Sequence, residues 1–233
     1  MQMVIEIPGE LKGVGEAVRA MVQQVEVTWR STRGGRAVDY AEIERQVATG
    51  AAAIERASHQ AVLQGLDMDH PRVVIEGQVY SRVGRYAADY YTQAGPVRVT
   101  RTLYREQGQR NAKTVNAVSL RCGAVGDGWL PGTAQAMAHQ LQQGTSREAE
   151  TTARLLGRLP YARSSFESVG QEVGRQYLAL RTDLEAVLME EYRVPAEAAS
   201  VSVALDRVSV PMEEAMAAKE RAGHGETRKR KVW

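Results

Sequence analysis

The chain has 233 residues, 43% of them hydrophobic, and a formal net charge of only +2, which fits one large globular domain or two to three small ones and excludes a highly charged tail-like protein. Cys122 is the only cysteine, so an intrachain disulfide is excluded, and His59, His70, His139 and His224 lack a metal-ligand spacing, which argues against a structural zinc. No window approaches the roughly 18 to 20 apolar residues of a membrane span, and the N-terminus has no secretory apolar run, so the expectation is a cytoplasmic protein without a membrane partner.

Lys12, Lys113, Lys219, Lys229 and Lys231 are the only lysines; the remaining cations are arginines, whose planar forks suit phosphate oxygens and lean toward nucleic acid. The first forty residues are weakly patterned, with a predicted helix near Gly15 to Val27 and a loop at Arg33-Gly34-Gly35-Arg36. Asp39-Tyr-Ala-Glu42 has the form of a capping box, and Ile43, Val47, Ile54, Ala61 and Val62 follow at helical spacing. That helix is predicted to run to about Leu66, with His70-Pro71 closing a helical N-terminal region, 1–70.

From Val73 the period becomes alternating. Val73, Ile75, Val79 and Val83 with Tyr80, Tyr86, Tyr90 and Tyr91 predict strands, and Ala94-Gly95-Pro96 is turn chemistry leading into Val97, Val99, Leu103 and Tyr104. This gives an antiparallel β-rich region, 71–130. Arg82, Arg85, Arg98, Arg101, Arg105 and Arg110 interleave with the tyrosines. Such interleaving suits a phosphate backbone with rings stacked on bases, and equally a solvated sheet face with tyrosines at its edge. The glycine-rich run 123–128 lacks the Lys-Ser/Thr of a phosphate loop and reads as a turn.

After Pro131 helical spacing returns in Ala134, Met137, Ala138 and Leu141, then in a second helix opened by a capping box at Thr145-Ser-Arg-Glu148 and ended at Leu155-Leu-Gly157. Ser164-Ser-Phe-Glu167 has capping-box form as well, and heads a long helix carrying Phe166, Val169, Val173, Tyr177, Leu180, Leu184 and Leu188, stopped by Pro195. Their spacing averages about 3.6, which favours packing on a globular body over a coiled-coil seam. Two helices joined by a short glycine-containing turn outline a helix-turn-helix, and also an ordinary helical hairpin; Arg158, Arg163 and Arg175 around it favour DNA. The segment is 131–198.

Val201, Val203 and Leu205 then alternate as a strand, and the phase slips at Asp206-Arg207 before Val208 and Val210. On pattern alone Asp206 is a turn acid between two strands. Residues 215–233 form a basic tail ending Arg228-Lys-Arg-Lys231.

Several of these stretches, taken in order, resemble the bacterial insertion-sequence transposases of the ISKra type. They are Thr92-x-x-Gly-Pro-Val-x-Val-x-Arg-x-x-Tyr104; Leu120-Arg-x-Gly123 with Trp129-x-Pro131; Leu156-Gly-Arg-Leu-Pro160 leading into Ser164-Ser-Phe166; and Val194-Pro-x-x-Ala198 followed by Val203-Ala-Leu-Asp-Arg-Val-Ser-Val-Pro-Met212. The resemblance implies a DDE transposase whose RNase H-like fold holds three carboxylates around two Mg2+ or Mn2+ ions. It places Asp206 as the first acid and metal ligand, with Arg207 standing where the family usually has glycine. A two-metal site needs several converging carboxylates, and the other two acids would lie downstream of residues 199–214, the start of a truncated core. The expectation is therefore an α+β chain, mostly helical, with a small antiparallel β region, a helix-turn-helix-like segment and the first strand or strands of an RNase H-like core. Its expected function is to bind double-stranded DNA at terminal inverted repeats through Arg98, Arg101, Arg105, Arg158, Arg163 and Arg175, without holding a metal tightly. The alternative is a non-catalytic DNA-binding or assembly protein that regulates transposition, as a homo-oligomer or with full-length transposase.

Overall fold

Apolar residues at helical spacing build α1 (Lys12–Thr32), preceded by a single 3-10 turn at Gly9–Leu11, and α2 (Tyr40–Gly65). α1 runs several residues beyond both ends of the predicted helix. The predicted cap of α2 is present: the Asp39 carboxylate accepts from the Glu42 N–H at 3.2 Å. The two helices form a hairpin in which Gln24 Nε2 donates to Gln46 Oε1 at 2.9 Å. The computed structural model describes residues 6–35, 37–109, 111–191, 211–212 and 230–231. It divides into two units, Met1–Arg181 and Thr182–Trp233.

The alternating segment of the first unit forms one antiparallel sheet of four strands in the order β1-β2-β3-β4: β1 (Arg72–Ile75), β2 (Gln78–Thr92), β3 (Gly95–Glu106) and β4 (Val115–Asn116). A two-residue turn, Glu76-Gly77, joins β1 to β2 with φ of 49° and 80°, the mirror-image turn whose twist matches that of the strands. Gln93-Ala94 joins β2 to β3, setting Thr92 opposite Gly95 and Tyr90 opposite Val97, with a bulge between Arg82 and Gly84. The chain is thus α+β, as its sequence predicts.

β4 pairs with β3 only at Leu103 and Tyr104, which leaves the rest of the β3 edge in need of partners. Side chains of α2 and its C-terminal loop supply them. Arg56 Nη1 donates to Ala94 O (2.8 Å), and Gln60 Nε2 to Arg98 O (2.9 Å). Gln64 bonds Thr100 in both directions, to O at 2.9 Å and from N–H at 3.1 Å, while Asp67 accepts from the Thr102 N–H (2.8 Å) and hydroxyl (3.0 Å). Four helical residues advance about 6 Å and two strand residues about 6.8 Å, so Gln60 and Gln64, at i and i+4, keep step with the alternate strand residues Arg98 and Thr100. Beside this stripe Leu63 is buried with Tyr90, Val97, Val99 and Val118.

A second cluster, Ala134, Met137, Ala149, Ala153, Leu159, Phe166 and Val169, is built by α4 (Pro131–Gln143), α5 (Ser146–Leu155) and α6 (Arg163–Glu191), after the short α3 (Ala117–Cys122). The capping box at Thr145 is complete, with Glu148 accepting from the Thr145 N–H at 2.7 Å. The one predicted at Ser164 is not: α6 already begins at Arg163, and Glu167 instead accepts from Ser146 Oγ at 2.7 Å, tying α6 to the start of α5. Burial along α6 also departs from expectation. Phe166 and Val169 are buried and Val173 packs beside them, whereas Tyr177, Leu180, Leu184 and Leu188 are exposed.

The glycine-rich run is the predicted turn. Val125 and Trp129 exchange backbone hydrogen bonds (2.8 and 3.0 Å), and the returning strand bonds the outer edge of β2 through Tyr91 N–H to Gly128 O (2.9 Å) and Leu130 N–H to Tyr91 O (3.1 Å). Gly128 has φ +114°, and a Cβ there would lie 2.8 Å from Asp89 O, so only glycine fits. In the second unit, β5 (Pro211–Met212) pairs antiparallel with β6 (Arg230–Lys231). No described helix is long and apolar enough to cross a membrane.

The side chain of Asp67 is only 5% exposed and serves Thr102 twice as well as Arg85. Asp67→Ala is expected to lower unfolding free energy in urea by about 1–3 kcal/mol. Asp67→Asn, which keeps an acceptor for the Thr102 N–H, should lose visibly less.

Candidate nucleic-acid interface

Most arginines that the sequence nominates are already held by acids or hydroxyls. Arg98 Nη1 lies 3.1 Å from Asp89 Oδ1, across the β2–β3 ladder. Arg82 pairs with Asp69 (3.0 Å), and Arg85 with Asp67 (3.4 Å) and Asp69 (3.3 Å). On α6, Arg163 pairs with Glu167 (3.3 Å), and Arg175 grips Glu172 with Nη2 (2.6 Å) and Nε (3.0 Å), a contact that with Gln176 keeps the Glu172 carboxyl below its ordinary range. Arg101 is half-buried and its Nη1 faces the hydroxyls of Tyr90 (3.4 Å) and Ser119 (3.5 Å). Arg105, four residues on and so on the same sheet face, is also half-buried. Arg98 falls on the opposite face. The six nominated arginines are therefore not gathered on one surface.

Arg158 has a different task. Its Nη1 and Nη2 donate to the two Glu55 carboxylate oxygens (2.5 and 2.9 Å), and Nη2 also reaches Gln93 Oε1 (3.2 Å). A bidentate fork of this kind joins residues 103 apart in sequence. It is part of a junction made by the loop between α5 and α6. Leu159 N–H donates to Gln93 O (2.8 Å) and Tyr161 Oη to Thr92 O (2.6 Å), while burial pushes the Tyr161 phenol well above its ordinary range. Trp129 stacks on Tyr91 with centroids 4.4 Å apart, and Tyr161 meets both rings edge-on. Leu159 holds φ +53°, a costly conformation for a branched side chain, and is buried in the helical cluster. So the stretches around Thr92, Trp129, Leu156 to Pro160 and Phe166, far apart in sequence, meet in one place.

Two exposed cations of another kind lie on α5. Arg147 and Arg154 project from α5 with Thr151 between them, at i, i+4 and i+7, opposite the buried Ala149 and Ala153. Both are exposed, and neither is engaged by a carboxylate among the described residues. Two alanines at i and i+4 let α5 lie close on its neighbours, and the capping box fixes its start. The acid of that box, Glu148, is held below its ordinary range by the Thr145 N–H and hydroxyl. Sequence reading favoured arginines near the turns and passed over this pair; the signal was the spacing of Arg147 and Arg154 against Ala149 and Ala153.

Asp206 and Arg110 lie outside the described residues. Among the described residues, no group of three or more His, Cys, Asp or Glu side chains is placed to hold a metal. No protein-family model matches the chain, and no curated protein or solved structure is detectably similar to it.

Arg158→Ala should destabilise the chain by about 1–3 kcal/mol in urea unfolding, whereas Arg98→Ala, which removes an exposed pair, should change it by less than about 0.5 kcal/mol. Because folding lowers the Glu148 pKa, its stabilising contribution is full above the ordinary glutamate value of about 4.3 and fades as pH falls below it. Urea midpoints measured at about pH 6 and pH 3.5 should therefore separate more for the parent chain than for Glu148→Gln, which keeps the cap without titrating.

Proposed function

We propose that this chain is the DNA-binding N-terminal portion of an insertion-sequence transposase of the ISKra type, and that α5 carries duplex DNA. The supporting observation is the exposed pair Arg147 and Arg154 with Thr151 between them, on a helix whose other face is anchored by Ala149 and Ala153. Two guanidinium groups free of carboxylates can neutralise phosphates at little cost, while arginines already paired with Glu or Asp must first give up a partner. In this reading α4 and α5, joined by Gly144-Thr145, act as the helix-turn-helix-like element and the terminal inverted repeats are the target. The residues of the family-like stretches serve the junction that holds this element, and the DNA contacts come from α5.

Strand cleavage is a separate matter. A two-metal site needs several converging carboxylates, and the resemblance assigns only Asp206 in this sequence, so in this reading the chain binds DNA without cleaving it. A purified chain that cleaves DNA with Mg2+ or Mn2+, and loses that activity on Asp206→Ala, would overturn this.

The second reading, a non-catalytic regulator that forms mixed oligomers, is favoured by one feature. Tyr177, Leu180, Leu184 and Leu188 repeat at helical spacing on α6 and are 41–59% exposed, more apolar surface than a solitary helix usually shows. If it holds, co-expression lowers transposition by an intact enzyme.

Duplex binding is measured by fluorescence anisotropy across a salt series. The Arg147→Ala, Arg154→Ala double variant should bind more weakly, with a log–log salt slope shallower by about 2, since each lost phosphate contact removes about 0.9. Equal affinity and slope in parent and variant would refute the assignment to α5.

A further inference from the structure

Arg101 differs from three other arginines of the sheet. Arg82, Arg85 and Arg98 each face a carboxylate. Arg101 has hydroxyls: Tyr90 Oη at 3.4 Å and Ser119 Oγ at 3.5 Å, both at the long end of hydrogen bonding. Its Cζ is 5.8 Å from the Tyr90 ring centroid, near the outer limit of a cation–π contact, and its Nε is buried with no hydrogen-bond partner. A half-buried guanidinium with an unsatisfied N–H and no facing acid among the described residues has lost water without gaining a counter-charge. An anion at the guanidinium would supply the counter-charge.

The residue directly across the ladder from Arg101 is Tyr86. Its ring lies over Gly84: a Cβ on that glycine would come within 2.9 Å of Tyr86 Cε2 and 3.2 Å of Cζ. Glycine at 84, beside the bulge between Arg82 and Gly84, makes room for the ring along the strand. Tyr86 is nonetheless 54% exposed, so a ring steadied against backbone still presents surface to solvent. The two strands fix the ring and the cation on the same face of the sheet, one residue pair wide.

We infer that Arg101 and Tyr86 form a binding site for single-stranded nucleic acid, in which Arg101 takes a backbone phosphate and Tyr86 stacks an adjacent base, while the Tyr90 hydroxyl, buried and donating to Asn116 Oδ1 at 3.0 Å, supports the guanidinium from below. A tyrosine ring can stack only on a base whose face is open, which a duplex does not offer along its length. A free phosphate would satisfy Arg101 but would make no use of Tyr86. The site is distinct from α5, and its test is independent of duplex binding by Arg147 and Arg154.

The test uses the full chain and a labelled oligothymidylate, read by anisotropy. Tyr86→Ala is expected to weaken binding roughly tenfold or more, from the loss of one stacked base, and Tyr86→Phe to keep it. Affinity for a duplex should be the same in all three proteins. Arg101→Gln should make the single-strand salt slope shallower by about 0.7, one phosphate. An abasic strand should bind the parent chain as weakly as oligothymidylate binds Tyr86→Ala, which separates base stacking from capture of phosphate alone. The proposal is overturned if Tyr86→Ala binds oligothymidylate as tightly as the parent, or if abasic and thymidylate strands bind equally. Urea unfolding checks that Arg101→Gln still folds; if it does not, the exposed Tyr86 variants decide the matter by themselves.

Discussion

The fold depends on a helix doing the work of a strand. β3 is flanked by β2 on one side, but β4 covers only two of its residues on the other. Without partners, the outward backbone groups of Arg98, Thr100 and Thr102 would be left unpaired beside the helix, at a penalty that reaches about 1–3 kcal/mol where the group is buried, as at Thr102. Gln60, Gln64 and Asp67 remove that penalty with groups of the right polarity at each position: an amide N–H for a lone carbonyl, a whole amide where both groups face out, and a carboxylate for an N–H. The same helix reaches in two directions. Consecutive residues Glu55 and Arg56 hold, respectively, the guanidinium of Arg158 and the carbonyl of Ala94. Past its end, the loop folds back so that the Met68 and His70 carbonyls gather around the Tyr104 hydroxyl.

Much of this was legible in the order of residues. Asp39 and Thr145 announce helix starts because an acceptor at the N-cap acts locally, whatever the rest of the chain does. The switch from helical to alternating period near Val73, and the glycine turn at 123–128, are local as well. What escaped reading is non-local. Arg56, Gln60 and Gln64 look like ordinary solvent-facing residues on a helix, and only the strand laid beside them reveals their purpose. Ser164 satisfies the capping pattern yet sits inside α6, since Glu167 has a better partner in Ser146, a residue of another helix. The apolar stripe of α6 is regular along its length, and a regular stripe carries no mark of where the supporting body stops.

The arginines teach a related lesson. A list of cations in sequence suggests a phosphate-tracking surface, but acids spread through the same segments neutralise many of them once folded: Asp67, Asp69, Asp89, Glu55, Glu167 and Glu172 each claim one or more. Charge available to a polyanion is what remains after that pairing. Among the described residues, Arg147 and Arg154 on α5 and Arg101 on β3 belong to that remainder. Trp129, Leu159 and Tyr161, from stretches far apart in sequence, join the sheet to the helical cluster.

The turn at Gly128 has a consequence for how the first unit comes apart. Trp129 belongs by packing to the helical cluster and by hydrogen bonding to the margin of the sheet, through the same few backbone atoms. Melting either layer removes support from the other, so the two hydrophobic clusters share one fate and lose their order in a single cooperative step.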